Sequence, residues 1–395
     1  MVTAGSSRWS RRFVVLSAGF LVLWRAVALL GAPRRTEVVL ALFGFVFHMV
    51  FGMGYLLIPS YFERVLRASW PPGVHLGLTG GGTALLAVAS IRELPAAVER
   101  AGTLAWFLGV VVFLGTLLWT VRDNLTGRET GTGAGREEFE RVDRYANPFV
   151  PVALGYVLVG SYELLARATV LPGITDGYVP RVSHLLAAGG AVLLVFALGV
   201  RLAPRFLGVP APTRPVRVVL PAGALAPALL AHGLGGGPTL VAGALAEATA
   251  VVGFAGLYGL SFARSDRRSV GLVGVLAGVA SGVAGVSLGL SFAFGPVTAE
   301  RAAVHLELNL LGFLGLCIVG FAMQFFPPSA GRFRGATDAV AWLAIGALLG
   351  GLTSVAVGTL AGIAALATVG DALALAGAVV YGYLVVRLLA AVDSR

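Results

Sequence analysis

The sequence predicts an all-α polytopic membrane protein with about twelve transmembrane helices. Hydrophobic residues make up 57% of its 395 residues, charged residues make up 12%, and the mean hydropathy is +0.88. Apolar runs of about 20 residues, the length that crosses a hydrocarbon core, fill nearly the whole chain. We therefore expect a single transmembrane domain, residues 1–395, in contact with the lipid bilayer and without a soluble domain.

Turn-forming residues divide the apolar sequence into the predicted helices. Glycine and proline accumulate between the runs, as in Pro71-Pro72 and Gly295-Pro296. The predicted helices are 13–31, 37–58, 72–92, 102–121, 149–168, 182–202, 216–235, 238–262, 270–294, 300–326, 336–357 and 360–390. The longest polar stretch, 122–148, is rich in acids and arginines, and we expect it to be a mobile cytoplasmic loop.

The distribution of arginine predicts the orientation of the chain. The net charge of +10 comes without any lysine, and the arginines lie between apolar runs. They indicate topology signals and contacts with anionic lipid, and we expect no nucleic-acid partner. With the N-terminus in the cytoplasm, cytoplasmic segments hold 21 arginines and outer segments hold 7. This bias predicts a multi-pass protein of a prokaryotic cell membrane with both termini in the cytoplasm.

Three of the five histidines lie on every fourth predicted helix. His48, His184 and His305 belong to helices two, six and ten, which all end with proline, aromatic residues and arginine. This pattern predicts three parallel four-helix repeats, at roughly 13–121, 149–262 and 270–390. Histidine inside a bilayer is costly and rare, so three at matched places indicate a metal or haem site.

The predicted topology also places the other two histidines. His232 ends helix seven on the outer side, where it could meet the three repeat histidines. His75 opens helix three on the cytoplasmic side, and we expect an interfacial histidine there, away from the others. Gly44 and Gly52, one turn on either side of His48, suit a flat macrocycle, and they equally suit an ordinary helix-packing seam.

Twelve helices in three arcs of four, with histidines on helices two, six, seven and ten, resemble the catalytic subunit of haem–copper oxidases and nitric oxide reductases. The chain is also similar to the NnrS family of haem- and copper-containing proteins of nitric oxide metabolism. The resemblance covers the whole chain as architecture and a few short stretches as motifs. It implies that His48 and His305 bind a haem and that His184 and His232 bind copper.

The chain departs from the oxidase pattern at several ligand positions. His305-Leu306-Glu307 stands where the family has His-x-His, helix seven lacks a second histidine, and Ala188 replaces a tyrosine. These departures argue against an oxygen-reducing oxidase and favour electron transfer or gas binding in nitric oxide or respiratory redox chemistry. The sequence leaves open whether the chain is an enzyme. If it is one, we expect an oxidoreductase. The electron donor would be a quinol or a separate cytochrome.

A haem shared by His48 and His305 requires both at similar depth. The predicted bounds place His48 about ten residues into its helix and His305 about five into its own. This difference corresponds to a mismatch of roughly 7 Å.

Further polar residues lie within the apolar spans. Glu307 is predicted to bind a metal, to relay protons or to hydrogen-bond a group beside a metal ligand, and Asn309 lies on the same helix face as His305. For the other intramembrane acids we prefer satisfied interhelical hydrogen bonds; these are Glu163, Glu247 and Asp371.

Two alternative functions stay open from the sequence. A proton-coupled small-molecule transporter would line a midplane cavity with the intramembrane acids. A metal-free structural descendant of the oxidase fold would leave the histidines far apart or facing lipid.

Overall fold

A computed structural model describes residues 4–92, 94–133 and 135–393 of the chain. In this part of the chain, 12 helices are long and apolar enough to cross a membrane, as predicted. Backbone groups inside a hydrocarbon core must be paired within the segment, and a helix meets this requirement. The helices are α1 Ala4–Leu29, α2 Arg34–Tyr61, α3 Pro71–Ile91, α4 Ala96–Val121, α5 Glu137–Ala168, α6 Val179–Leu207, α7 Thr213–Gly233, α8 Pro238–Arg264, α9 Val270–Ser291, α10 Ala299–Ala330, α11 Asp338–Ala361 and α12 Ala364–Asp393.

The helices form three successive groups of four, which confirms the predicted repeat. The first helix of each group packs on the second, and the third and fourth form an antiparallel hairpin. The fourth helix of each group then packs on the first helix of the next, and α12 packs on α1 to close the ring.

The second helix of each repeat lies inside this ring. The most apolar windows of α2, α6 and α10 are 83%, 83% and 78% buried, whereas those of the other helices are 33–61% buried. The central helices meet through close backbone approaches: a Cβ atom at Gly190 would lie 3.3 Å from the ring of Phe47, and one at Gly315 would lie 3.6 Å from Phe45. The axis of the ring is therefore a packed apolar core.

Each central helix contains a π-helical segment of eight residues: Val39–Val46, Leu185–Val192 and Leu308–Gly315. The prolines Pro59, Pro204 and Pro327 follow these segments by twelve or thirteen residues. The π-helical segment and the proline after it therefore have nearly the same spacing in all three repeats. Widened helical turns of this kind are rare and often occur at functional sites.

The histidines do not occupy equivalent positions relative to the π-helical segments. The expectation that they lie at matched places in the three repeats is therefore wrong. His48 follows its π-helical segment by two residues, whereas His184 and His305 precede theirs by one and three. With the segments aligned, Glu307 occupies the position of His184. Relative to these segments, His48 therefore lies about three turns further along its helix than the other two.

We name the two sides of the bundle by the central helices. The upper face is the side where α2, α6 and α10 begin, and the lower face is the side where they end. His184 and His305 thus lie near the upper face. The assignment of the lower face to the cytoplasm stays a prediction.

Residues 122–133 and 135–148 are packed, which corrects the expectation of a mobile loop at 122–148. The segment contains the first turns of α5, Glu137–Ala146, and it lies against the lower ends of α2 and α6. The buried Asp143 carboxylate pairs with Arg201 at 3.2 Å and with Arg205 at 2.6 Å. The guanidinium of Arg201 also covers the ring of Tyr61 at 3.7 Å. These arginines therefore hold the segment in place in addition to marking topology.

An exposed ion pair joins the end of α2 to the same segment. Arg64 donates to Asp123 at 2.9 Å and to Glu129 at 2.7 Å. The hydrogen bond from Arg64 lowers the pKa of the Asp123 carboxyl below its usual value.

Candidate functional site

The structure brings two of the predicted histidines together at the upper face. The ring centres of His184, on α6, and His305, on α10, are 6.5 Å apart, and the ring planes differ by 20°. Both side chains are partly buried. Two helices that are 120 residues apart in the chain thus present their imidazoles to each other.

Both imidazoles are held through the same ring nitrogen. Nδ1 of His184 lies 2.7 Å from the carbonyl oxygen of Pro180, and Nδ1 of His305 lies 2.9 Å from that of Gly285. A carbonyl can only accept, so each Nδ1 carries the hydrogen and each Nε2 keeps its lone pair. Metal-binding histidines use this arrangement, because the bond to Nδ1 orients the ring.

The ring of His305 rests on the backbone of α9. A Cβ atom at Gly289 would lie 2.7 Å from its Cε1 atom, so a larger residue there would displace the ring. Phe292 meets the imidazole edge-on at 5.5 Å. The amide of Asn309 donates to the backbone oxygen of His305 at 2.7 Å, so Asn309 lies beside this histidine as the sequence predicted.

The spacing of the two rings suits a metal between them. A metal bound to an imidazole nitrogen lies about 2.0 Å from it, so two rings on opposite sides of one metal have centres roughly 6 Å apart. The observed separation of 6.5 Å is close to that value. The separation and the nearly parallel planes are compatible with one metal between the two imidazoles.

His48, the predicted partner of His305, lies in a different environment. Its ring is fully buried against Phe13 and Phe20 of α1, at 6.0 and 5.1 Å. Its Nδ1 lies 2.8 Å from the carbonyl oxygens of Phe43 and Gly44. The groups around His305 belong to α6, α9 and α10 instead. The sequence implied that His48 and His305 lie at different depths. In the structure, the imidazole near His305 is that of His184 and not that of His48.

His75 is fully buried, so the expectation of an interfacial histidine is wrong. It packs against Phe13 and Phe51, which also contact His48, and its Nδ1 lies 3.1 Å from the Tyr55 hydroxyl. Thr79, one turn later on the same helix face, is buried as well.

His232, the predicted copper partner of His184, is exposed at the end of α7. Its backbone oxygen accepts from Arg181 at 2.9 Å, and the structure gives its ring no partner among the described residues. Within the described residues, no group of three or more His, Cys, Asp or Glu side chains could hold a metal ion.

Glu307 turns away from His305 and forms a buried ion pair. Its carboxylate accepts from Nη1 of Arg25 at 3.1 and 3.2 Å, and the same guanidinium binds Asp371 of α12. Residues two apart on a helix point to nearly opposite faces, which explains the separate surroundings of His305 and Glu307. The sequence placed Glu307 within an apolar span without showing that it pairs with Arg25.

The remaining intramembrane acids do not line one cavity. Glu163 accepts from the backbone nitrogen of Thr175 at 3.1 Å and so holds the loop between α5 and α6. This is a satisfied hydrogen bond, although its partner is a loop and not another helix. Glu247 of α8 has a buried carboxylate oxygen, Oε2, without a hydrogen-bond partner in the described part of the chain, so the expectation of a satisfied hydrogen bond is wrong there.

The chain matches no protein-family model and no curated protein. The membrane-spanning architecture and the histidine pair therefore carry the functional argument.

Proposed function

We propose that this integral membrane protein binds a haem between His184 and His305 at the upper face. The proposal rests on one observation: two tethered imidazoles face each other at a ring separation of 6.5 Å. It keeps the haem that the sequence predicted and one of its two predicted ligands, and it replaces His48 by His184.

Haem fits this pair better than a free metal ion does. A structural zinc or copper site usually takes three or four protein ligands, and the described residues offer two at this place. A porphyrin would bring nitrogen ligands of its own, so His184 and His305 would be sufficient as the protein's part of the site. The copper predicted at His184 and His232 has less support, because His232 is exposed.

The surroundings of the pair favour electron transfer or gas binding in respiratory or nitric oxide chemistry. His184 and His305 would hold the haem, and the haem would supply electron transfer or gas binding. Arg181 and Arg301 each precede one of the histidines by about one turn. Their charges suit the carboxylates of a haem, and a quinol or a separate cytochrome would supply the electrons.

The alternative functions have weaker support. A proton-coupled transporter would bring its acids to one cavity, whereas here Glu163 holds a loop and Glu307 and Asp371 share Arg25. A metal-free descendant of the oxidase fold would leave the histidines apart, whereas His184 and His305 face each other.

Visible spectra of the purified protein test the proposal. We expect a Soret band and sharp reduced bands in protein from haem-replete cells, with iron in the same sample. His184→Ala and His305→Ala should abolish these bands, and added imidazole should restore them in part. His232→Ala, at an exposed histidine, is the matched control.

His48→Ala separates the two candidate pairings. A spectrum that His48→Ala leaves intact supports the His184–His305 pair, and one that needs His48 and not His184 supports the pairing predicted from the sequence. A colourless, iron-free preparation would overturn the haem proposal altogether.

A further inference from the structure

Glu247 of α8 differs from the other acids inside the apolar spans, because it has no partner. Its Oε2 atom is buried and accepts no hydrogen bond within the described part of the chain. Glu307 and Asp371, in contrast, share Arg25, and Glu163 accepts from the loop between α5 and α6. Glu247 therefore has a role other than an ion pair or a bond that holds a loop.

The packing of α7 against α8 places Glu247 opposite the middle of α7. The two helices form an antiparallel hairpin, and a Cβ atom at Gly243 would lie 2.8 Å from the backbone nitrogen of Leu230. Because the helices are antiparallel, four residues further along α8 correspond to four residues back along α7. Ala226 is therefore level with Glu247.

A proline leaves a backbone acceptor at this level. Pro227 has no N–H, so the carbonyl of Gly223, which points along α7 toward residue 227, lacks its usual helical donor. Gly223 also packs on α8 within one turn of Glu247, since a Cβ atom there would lie 3.5 Å from that of Ala250. A carboxyl that keeps its hydrogen can donate to a carbonyl, whereas a carboxylate cannot. This part of α7 therefore favours the neutral acid.

The hairpin and α9 bring no cation close to Glu247. On α7, Arg217 and His232 are nine and six residues from Ala226, which is roughly 14 and 9 Å along the helix axis. On α8, Arg264 lies at the lower end, and α9, which packs on α8, contains no charged residue. A Glu247 carboxylate would therefore have no counter-charge on these helices.

The groups of α6 and α5 do not supply a cation either. The ionisable residues of α6 lie toward its two ends, and Arg201, the one nearest its middle, pairs with Asp143. The hydroxyl of Tyr156 on α5 donates to a backbone carbonyl of α7 at 2.7 Å, so its hydrogen is engaged. No charged group acts on the Glu247 carboxyl from any of these helices.

These surroundings select the protonated form. A carboxylate without a counter-charge is very costly in an apolar environment, so such a group takes up a proton instead. Glu247 is also partly exposed on a helix of the outer ring, and its neighbours Leu245 and Thr249 are exposed. We propose that Glu247 is a proton-binding site that is open to the lipid and reacts with lipid-soluble carbodiimides. This inference does not depend on haem binding.

The reaction with a carbodiimide uses the neutral acid. The carboxyl proton moves to one nitrogen of the carbodiimide, and a carboxyl oxygen bonds to its central carbon, which gives an O-acylisourea. The acyl group then transfers from this oxygen to a nitrogen. The product is a stable N-acylurea that keeps all the atoms of both reactants, so the adduct has the mass of the protein plus the reagent.

Peptide mass spectrometry after treatment with dicyclohexylcarbodiimide tests the site. The full-length protein is treated in proteoliposomes at neutral pH. We expect an adduct on Glu247, and we expect Glu247→Gln to lower the labelling of the protein at least tenfold. Glu307 and Asp371, which are paired with Arg25, should stay unlabelled in the same sample. Glu138→Gln, at an exposed acid of the lower face, is the matched control and should leave the labelling unchanged.

Infrared spectroscopy measures the protonation state without a reagent. We expect the C=O stretching band of a neutral carboxyl in the wild-type protein and its loss in Glu247→Gln. Absence of the adduct or of the band overturns the inference, and so does an adduct or a band that Glu247→Gln leaves unchanged. Haem absorbance is a separate readout, so failure of this inference is distinguishable from failure of the haem proposal.

Discussion

Arg25 shows how a single buried charge ties distant helices together. Its side chain is fully buried, and it binds Glu307 of α10 and Asp371 of α12 from α1. A charge buried without a partner costs several kcal/mol, whereas a paired and hydrogen-bonded one is tolerated. The cluster thus joins the first and the third repeat at the place where the ring of helices closes.

Replacing Arg25 should destabilise the protein strongly. Arg25→Leu leaves the Glu307 carboxylate buried at 3% exposure without its partner, and we expect a loss of about 3–5 kcal/mol in the free energy of unfolding. Thermal unfolding in detergent measures this loss as a lower Tm. Arg92→Leu, an exposed arginine of the upper face, is the control and should have little effect.

A combined variant distinguishes charge from packing. If the lost pairing is the cause, adding Glu307→Gln to Arg25→Leu should recover part of the Tm. A Tm that Arg25→Leu leaves unchanged would show that the pair contributes nothing to stability.

The glycine stripe of α9 shows how one helix positions a side chain on another. Its glycines face α10 at helical spacing and touch Cys317, Phe313, Asn309 and His305 in turn; they are Gly278, Gly282, Gly285 and Gly289. Without side chains there, the two backbones approach closely, as in other membrane helix pairs. The same stripe supplies the Gly285 carbonyl that orients the His305 ring.

Filling the stripe beside the histidine should disturb the proposed haem site. A leucine side chain at Gly289 would overlap the His305 ring, because its Cβ atom alone would lie 2.7 Å from Cε1. We expect Gly289→Leu to reduce haem absorbance per protein by about tenfold, measured by the pyridine haemochrome assay. Gly259→Leu on α8 has open space around it and should keep the absorbance. Equal absorbance in both variants would contradict this role of α9.

Across residues 4–92, 94–133 and 135–393, nine helices form a ring around three central ones, in three parallel repeats. The repeats agree in their helix order, their π-helical segments and their terminal prolines. They differ in their polar residues: His184 and His305 join the second and third repeats, whereas the buried His48 and His75 belong to the first.

Cysteine labelling tests the orientation of the whole chain. Val170 is exposed in the upper loop between α5 and α6, and Asp266 is exposed in the lower loop between α8 and α9. With both termini in the cytoplasm, Val170→Cys should react with an impermeant maleimide in intact cells, and Asp266→Cys should react after permeabilisation. The native Cys317 is fully buried and should stay silent. The reverse pattern would invert the predicted topology.

The number of helices, the repeat and the large apolar core follow from local sequence. A run of apolar residues must become a helix in a membrane, because its backbone groups have no other partners there. Glycine and proline end such runs wherever they cluster, and the predicted bounds were close for most helices. The fifth helix begins earlier than predicted, at Glu137, because the polar turns before Phe149 pack against the buried Arg201 and the partly buried Arg205.

The partner of each buried polar group depends on the packing of complete helices. His305 faces His184 and not His48, and Arg25 meets Glu307 across 282 residues of chain. Sequence spacing shows which side chains share a face of one helix, but it does not show how far that helix is shifted or rotated against its neighbours. A shift of two or three residues moves an imidazole by roughly 3–5 Å along the membrane normal and turns it to another face. The contacts of all twelve helices together determine that shift.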